Sequence, residues 1–171
     1  MRRAILLLTV LTAALFLGNV PALAATKTYT DEVRGVEISA GQIVGETRVG
    51  ASFVGQASGG LPASMFASIN YTPPRPGPGV TNTIVGGHWS LAGSWGVLFG
   101  SFTGGTVQWN RRGTVASVNA NMTITDGRVK GRDVSGGVGS FAGTLSHRTF
   151  PPTIRGTLTL APSFMVAASS R

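Results

Sequence analysis

A chain of 171 residues without a single cysteine has no disulfide, no thiolate nucleophile, no thiol metal ligand and no lipid-modified cysteine available to it. Its charge is sparse and basic, with 14 Lys and Arg against 6 Asp and Glu. The basic residues are scattered from Lys27 to Arg171 without a basic helix or a known binding motif, which argues against nucleic acid as a partner.

The start reads Met1-Arg2-Arg3, an apolar run over residues 4–17, then Ala22-Leu23-Ala24. That is the pattern of a positively charged leader, a hydrophobic segment and a small-residue cleavage site. The expected organisation is a signal peptide over residues 1–24, an exported, secreted product, and one domain over residues 25–171. The apolar run is shorter than the roughly 20 residues a membrane-spanning helix needs, and no second run follows, so no membrane span is expected. Removing Arg2 and Arg3 with the leader leaves 12 basic against 6 acidic residues, a surplus of +6. A surface of that sign is soluble and attracts polyanions such as cell-envelope polymers, acidic glycans or lipid headgroups.

Period-two alternation then dominates, and no stretch shows the period of an amphipathic helix. In chain order the expected strands are residues 33–38, 48–57, 63–72, 83–91, 97–103, 106–109, 114–125, 139–147 and 153–160. In 48–57, Val49, Ala51, Phe53 and Ala57 oppose Arg48, Ser52 and Gln56. The cleanest alternation sets Ala116, Val118, Ala120, Met122 and Ile124 against Ser117, Asn119, Asn121, Thr123 and Thr125, one buried face and one wet face. Between strands, the proline-rich stretch 73–79 cannot feed a ladder and reads as an extended loop or a crossing between two halves of the sheet. Asn110-Arg111-Arg112-Gly113 reads as a hairpin loop with Gly113 left-handed, and Asp126-Gly127 as a further turn. Residues 162–171 lack alternation and read as a loosely packed tail.

A short repeat recurs: Ala51-Ser52-Phe53-Val54-Gly55, Gly100-Ser101-Phe102-Thr103-Gly104 and Gly139-Ser140-Phe141-Ala142-Gly143. Glycine inside a strand marks a bend or a close approach, and an aromatic ring can cover a neighbouring glycine. Strands coiled in this way favour an all-β, single, antiparallel, about eight-stranded up-and-down barrel, because closure removes exposed edges. A β-sandwich is the alternative.

The segment Gly136-Gly137-Val138-Gly139-Ser140-Phe141-Ala142-Gly143, followed by a last strand, resembles the GGxGxFxG segment of dirigent proteins and allene oxide cyclases. Small bacterial secreted proteins are similar in the same stretch. The resemblance implies a calycin-like barrel with an apolar cavity at one end, shaped by Gly136, Gly137, Gly139, Phe141 and Gly143, and a trimer as the oligomer. It covers only the last third of the chain, and the acidic residues with which such barrels handle reactive intermediates have no match here. Asp126 and Asp133 are merely available.

No hydrolase elbow, phosphate loop, dinucleotide fingerprint or paired-carboxylate motif occurs, so no catalytic residue and no cofactor is assigned. The two histidines, His88 and His147, lack the convergent partners a metal needs. Counting from Phe141 and Leu145 places His147 inward near a strand end, where a cavity mouth would lie, and His88 outward. Trp89 and Trp109 are candidates for lining a binding cavity, although three tryptophans with Trp95 also fit a packed core or barrel-end plugs. Arg128, Lys130 and Arg132 alternate, so an extended chain would align them as an anion-binding strip or an edge-protecting row. The expected function is a non-enzymatic barrel that binds a small apolar or anionic ligand or a cell-envelope polyanion. The alternatives are an isomerase or cyclase of the allene oxide cyclase or dirigent type, and a structural envelope protein without a ligand.

Overall fold

Alternation along the chain becomes alternation between barrel interior and solvent. The computed structural model describes residues 27–165, and the expected signal peptide over 1–24 lies outside them. The strands are β1 (Tyr29–Ser39), β2 (Gln42–Val44), β3 (Thr47–Gly59), β4 (Ala63–Thr72), β5 (Thr81–Gly93), β6 (Gly96–Trp109), β7 (Val115–Val129), β8 (Arg132–Ser146) and β9 (Thr153–Phe164). They form one antiparallel sheet in the order β1-β9-β8-β7-β6-β5-β4-β3-β2, and the additional β1–β3 pairing closes eight of them into an up-and-down barrel. The barrel expected from the alternation is therefore the architecture, with β2 as an extra strand beyond the rim.

β7 shows why the pattern selects this fold. Ala116, Val118, Ala120, Met122 and Ile124 are all buried, while Ser117, Asn119, Asn121 and Thr125 face solvent. Along β7 the wall is thus hydroxyl and amide outside and aliphatic inside, while Val85, Phe99 and Val138 are exposed apolar residues on other strands. The three phenylalanines of the repeat, Phe53, Phe102 and Phe141, all point inward and line the same central space. Gly143 and Gly156 face each other across the β8–β9 pair, and a Cβ on either would meet Phe141 Cζ at 2.7 Å. The aromatic ring lies over the paired glycines, and that close approach is what the motif supplies.

Several local expectations are overturned. Residues 97–103 and 106–109 form one strand, β6, carried through Gly104 and Gly105 by an irregularity against β7. Asp126-Gly127 is no turn: β7 continues to Val129, and the reversal falls at Lys130-Gly131, with φ of 51° and 80°. Phe99 pairs with Asp126 and Gly100 with Ile124, so Thr125 is an extra bulged residue, and Gly127 is needed where Leu98 approaches. Of the two readings of the stretch 73–79 the loop holds and the crossing does not, since it joins the neighbouring strands β4 and β5. Pro162 is buried within β9, which runs to Phe164, so the first part of the expected tail is ladder. Asn110-Arg111-Arg112-Gly113 is the expected loop, with Gly113 at φ 66° and its N–H donating to Asn110 O over 2.9 Å.

Candidate functional site

The two ends of the barrel differ. At the end where β1 begins, short connections cover the interior: Leu61 is fully buried, and Trp95 plugs the end with its Nε1 donating to Pro62 O at 2.7 Å. Asp31, also buried there, accepts the Leu61 N–H at 2.9 Å. At the opposite end the connections are longer, over residues 40–46, 73–80, 110–114 and 147–152.

Those four connections are tied into a ring. Arg48 donates from Nη1 to Ala40 O and from Nε to Pro74 O, each 2.7 Å. Gly79 N–H donates to Asn110 O at 3.0 Å, His147 N–H to Thr114 O at 2.9 Å, and Glu37 N–H to Pro152 O at 2.9 Å. We term this end the mouth.

Arg48 reaches the mouth because of a bulge. Strict alternation from Ala51 and Phe53 sends Val49 inward and Arg48 outward, but the β3–β4 register shifts between Arg48 and Ala51, where Gly50 takes φ 76°. Arg48 consequently pairs with Tyr71, whose side chain shares the inward face with Ala67 and Ile69, and Val49 is left exposed. One extra residue re-aims the guanidinium.

Beneath the loops lies a polar layer. Glu37 continues the inward series of Tyr29, Asp31 and Val33 on β1. Its Oε2 is 3.4 Å from His147 Nε2. The His147 ring sits edge-on to Trp109, with centroids 4.7 Å apart. Trp109 Nε1 donates at 2.8 Å to Oδ1 of fully buried Asn82, whose Nδ2 donates at 2.6 Å to Pro73 O. Desolvation pushes the Glu37 carboxyl above its ordinary value, opposed by the charge of Arg48. It also raises the Tyr71 phenol, against the charge and hydrogen bond of Arg48, and lowers His147. At neutral pH the imidazole is therefore uncharged, and its contact with Glu37 is not an ion pair.

Below this layer the interior is almost filled. A central cavity of about 30 Å³ is lined by Phe53, Met65, Trp89, Phe102, Met122, Phe141 and smaller apolar residues. A second, also about 30 Å³, lies under the mouth among Glu37, Tyr71, Trp109, Leu145 and His147. Each is the size of a single water. Phe53, Ile69, Val118 and Ile154 line both, so the apolar interior leads toward the polar layer.

The residues singled out from sequence scatter accordingly. His147 is at the mouth, just past the end of β8, as its phase implied, and Trp109 is its neighbour. Trp89 lies deep in the centre, its Nε1 buried without a partner and its ring against Gly100. His88 is exposed and stacks obliquely on Phe66 at 5.6 Å. Arg128, Lys130 and Arg132 do not form a row, because the Lys130-Gly131 turn separates them at the closed end. Arg128 meets Asp133 at 3.4 Å and Arg132 lies over the Phe164 ring at 4.2 Å. Gly136, Gly137, Gly139 and Gly143 stand in β8, where all but Gly136 admit close neighbours, and they line neither cavity. No motif in the sequence marks Glu37, Arg48, Tyr71 or Asn82 as site residues, and alternation sends Arg48 outward. Glu37 was discoverable as an acid in phase with Tyr29 and Val33, whereas Arg48 was concealed by the bulge.

Comparison with known proteins yields no matching family model, no matching curated protein and no matching solved structure. Among the described residues no group of three or more His, Asp or Glu could hold a metal ion, and no helix is long and apolar enough to cross a membrane.

Proposed function

We propose that this chain is an exported, non-enzymatic barrel that takes a small, largely apolar molecule through the mouth and holds the molecule's polar end against Glu37, Arg48, Tyr71 and His147. The observation that carries this reading is the set of four side chains, Phe53, Ile69, Val118 and Ile154, shared by the central cavity and the cavity under the mouth. Admission of a ligand requires the interior to open. Met65 and Met122 are the flexible part of that lining, and unbranched thioether side chains repack at low cost.

The test is a fluorescence titration with 1-aminoanthracene, a small apolar probe with one polar group. Saturable one-to-one binding is expected, weakened at least tenfold by Ala120→Phe and by the milder Ala67→Leu, both of which fill the central cavity. Absence of binding, or equal binding by folded variants, defeats the reading and leaves the structural envelope protein as the surviving account.

A second reading draws on the 3.4 Å approach of Glu37 to His147 and on the likeness of the Gly136–Gly143 segment to dirigent proteins and allene oxide cyclases. In it the barrel holds a reactive substrate in one conformation while the carboxyl and imidazole move a proton, as an isomerase or cyclase would. Glu37→Gln should then abolish turnover and leave binding intact. Loss of both together, or of neither, counts against it.

A further inference from the structure

Exposed apolar side chains and unpaired positive charge gather at the same end of the barrel. Of the nine large apolar residues exposed among the described residues, Ile38, Ile43, Val44, Val49 and Phe150 lie at the mouth end. Phe150, in the loop after β8, is 99 % exposed, and Val44, on the β2 edge that no further strand covers, is 62 % exposed. Around them stand Arg75, Arg111, Arg112 and Arg148, all exposed, on the three loops over residues 73–80, 110–114 and 147–152. Those three loops contain no acid, and none of the four arginines forms a salt bridge among the described residues; the fourth connection, 40–46, carries one exposed acid, Glu46, against these four cations. The closed end holds fewer free cations: Arg128 is paired with Asp133 and Arg132 is engaged by Phe164, which leaves Lys130 exposed without a salt bridge among the described residues.

Charge alone would suit any polyanion, and apolar tips alone any greasy partner. The two together match a surface that presents anionic headgroups over hydrocarbon, where arginines remain among the headgroups while short apolar tips reach the acyl boundary. We infer that the mouth end docks on an anionic lipid bilayer, with Phe150 and the β2 hairpin as the inserted tips and Arg75, Arg111, Arg112 and Arg148 as the headgroup contacts. The wall, including the exposed Val85, Phe99 and Val138, then stays in water and the barrel stands on its mouth. This orientation does not depend on whether the interior holds a ligand.

The experiment uses the full chain with phosphatidylcholine vesicles, with and without phosphatidylglycerol, and Phe150→Trp as a reporter against the unmodified protein. Because vesicle binding by itself does not say which end of the barrel is in contact, the readouts are those specific to the mouth. Phe150→Trp emission should shift to the blue on phosphatidylglycerol vesicles only, and the shift should fade at high salt. Replacing the four arginines by Gln should weaken this response on the order of a thousandfold, while Arg128→Gln with Arg132→Gln at the closed end should not. The inference is overturned if the emission is unchanged, if it shifts equally without phosphatidylglycerol, or if the closed-end pair removes the response. It is also overturned if dextran sulfate binds and vesicles do not, or if light scattering shows a dimer that Phe150→Ser dissolves.

Discussion

His147 Nε2 lies 3.4 Å from Glu37 Oε2, joining the end of β1 to the first residue after β8 at the barrel mouth. Two groups far apart in sequence meet because β9, which lies between these strands in the sheet, starts only at Thr153, lower in the wall. Burial acts on them in opposite directions.

For Glu37 the folded-state pKa is raised, so its favourable contribution is complete below the ordinary carboxyl value of 4.5 and is lost as pH rises through the folded value. For His147 the folded-state pKa is lowered, so its contribution is complete above 6.5 and is lost as pH falls through that value toward the folded one. Glu37→Gln should therefore raise the melting temperature at neutral pH and match the parent in acid, whereas His147→Gln should gain relative to the parent only as pH falls below 6.5. Melting curves recorded across that range check both signs. A Glu37→Gln protein less stable than the parent at neutral pH would show that Arg48 outweighs desolvation.

Asn82 is the second point of sensitivity. Fully buried, it accepts from Trp109 Nε1 at 2.8 Å and donates to Pro73 O at 2.6 Å. Asn82→Ala should strand the indole N–H and cost about 3 kcal/mol, the sum of an unpaired buried donor and two lost hydrogen bonds. Urea denaturation measures the loss, and faster hydrogen exchange in residues 73–80 should accompany it. A change below about 0.5 kcal/mol would mean that water replaces the amide.

The glycines separate into two kinds. A Cβ at Gly143 or Gly156 would collide with the facing backbone and with Phe141 Cζ at 2.7 Å, whereas one at Gly131, at φ 80°, would meet nothing within 4 Å. Gly143→Ala and Gly156→Ala should each destabilise by about 3 kcal/mol or more through overpacking. Gly131→Ala should cost only about 1 kcal/mol of left-handed backbone strain. Denaturation midpoints that rank the three equally would remove the close-packing account of the motif.

Legibility followed the range of each interaction. The faces of β7 and the inward course of Phe53, Phe102 and Phe141 could be read directly, since two-residue alternation is local. His147 could be placed by counting from Leu145 because no bulge lies between them. The same counting failed at Arg48, where Gly50 adds a residue, and at Arg128, Lys130 and Arg132, where a turn falls inside what looked like one strand.

By itself the amino-acid sequence determined that the chain is all-β and that its strands carry one apolar face, and it favoured a barrel over a sandwich, a choice made only by the β1–β3 closure. Only the tertiary structure decided which end carries the polar layer, that Glu37, Arg48, Tyr71 and His147 share it, and that the arginines of three separate loops stand at the same end as Phe150. The physical reason is that strand faces follow from alternation along neighbouring residues, whereas the mouth is assembled by bulges and cross-barrel closure between residues as distant as Glu37 and His147, which no local periodicity records.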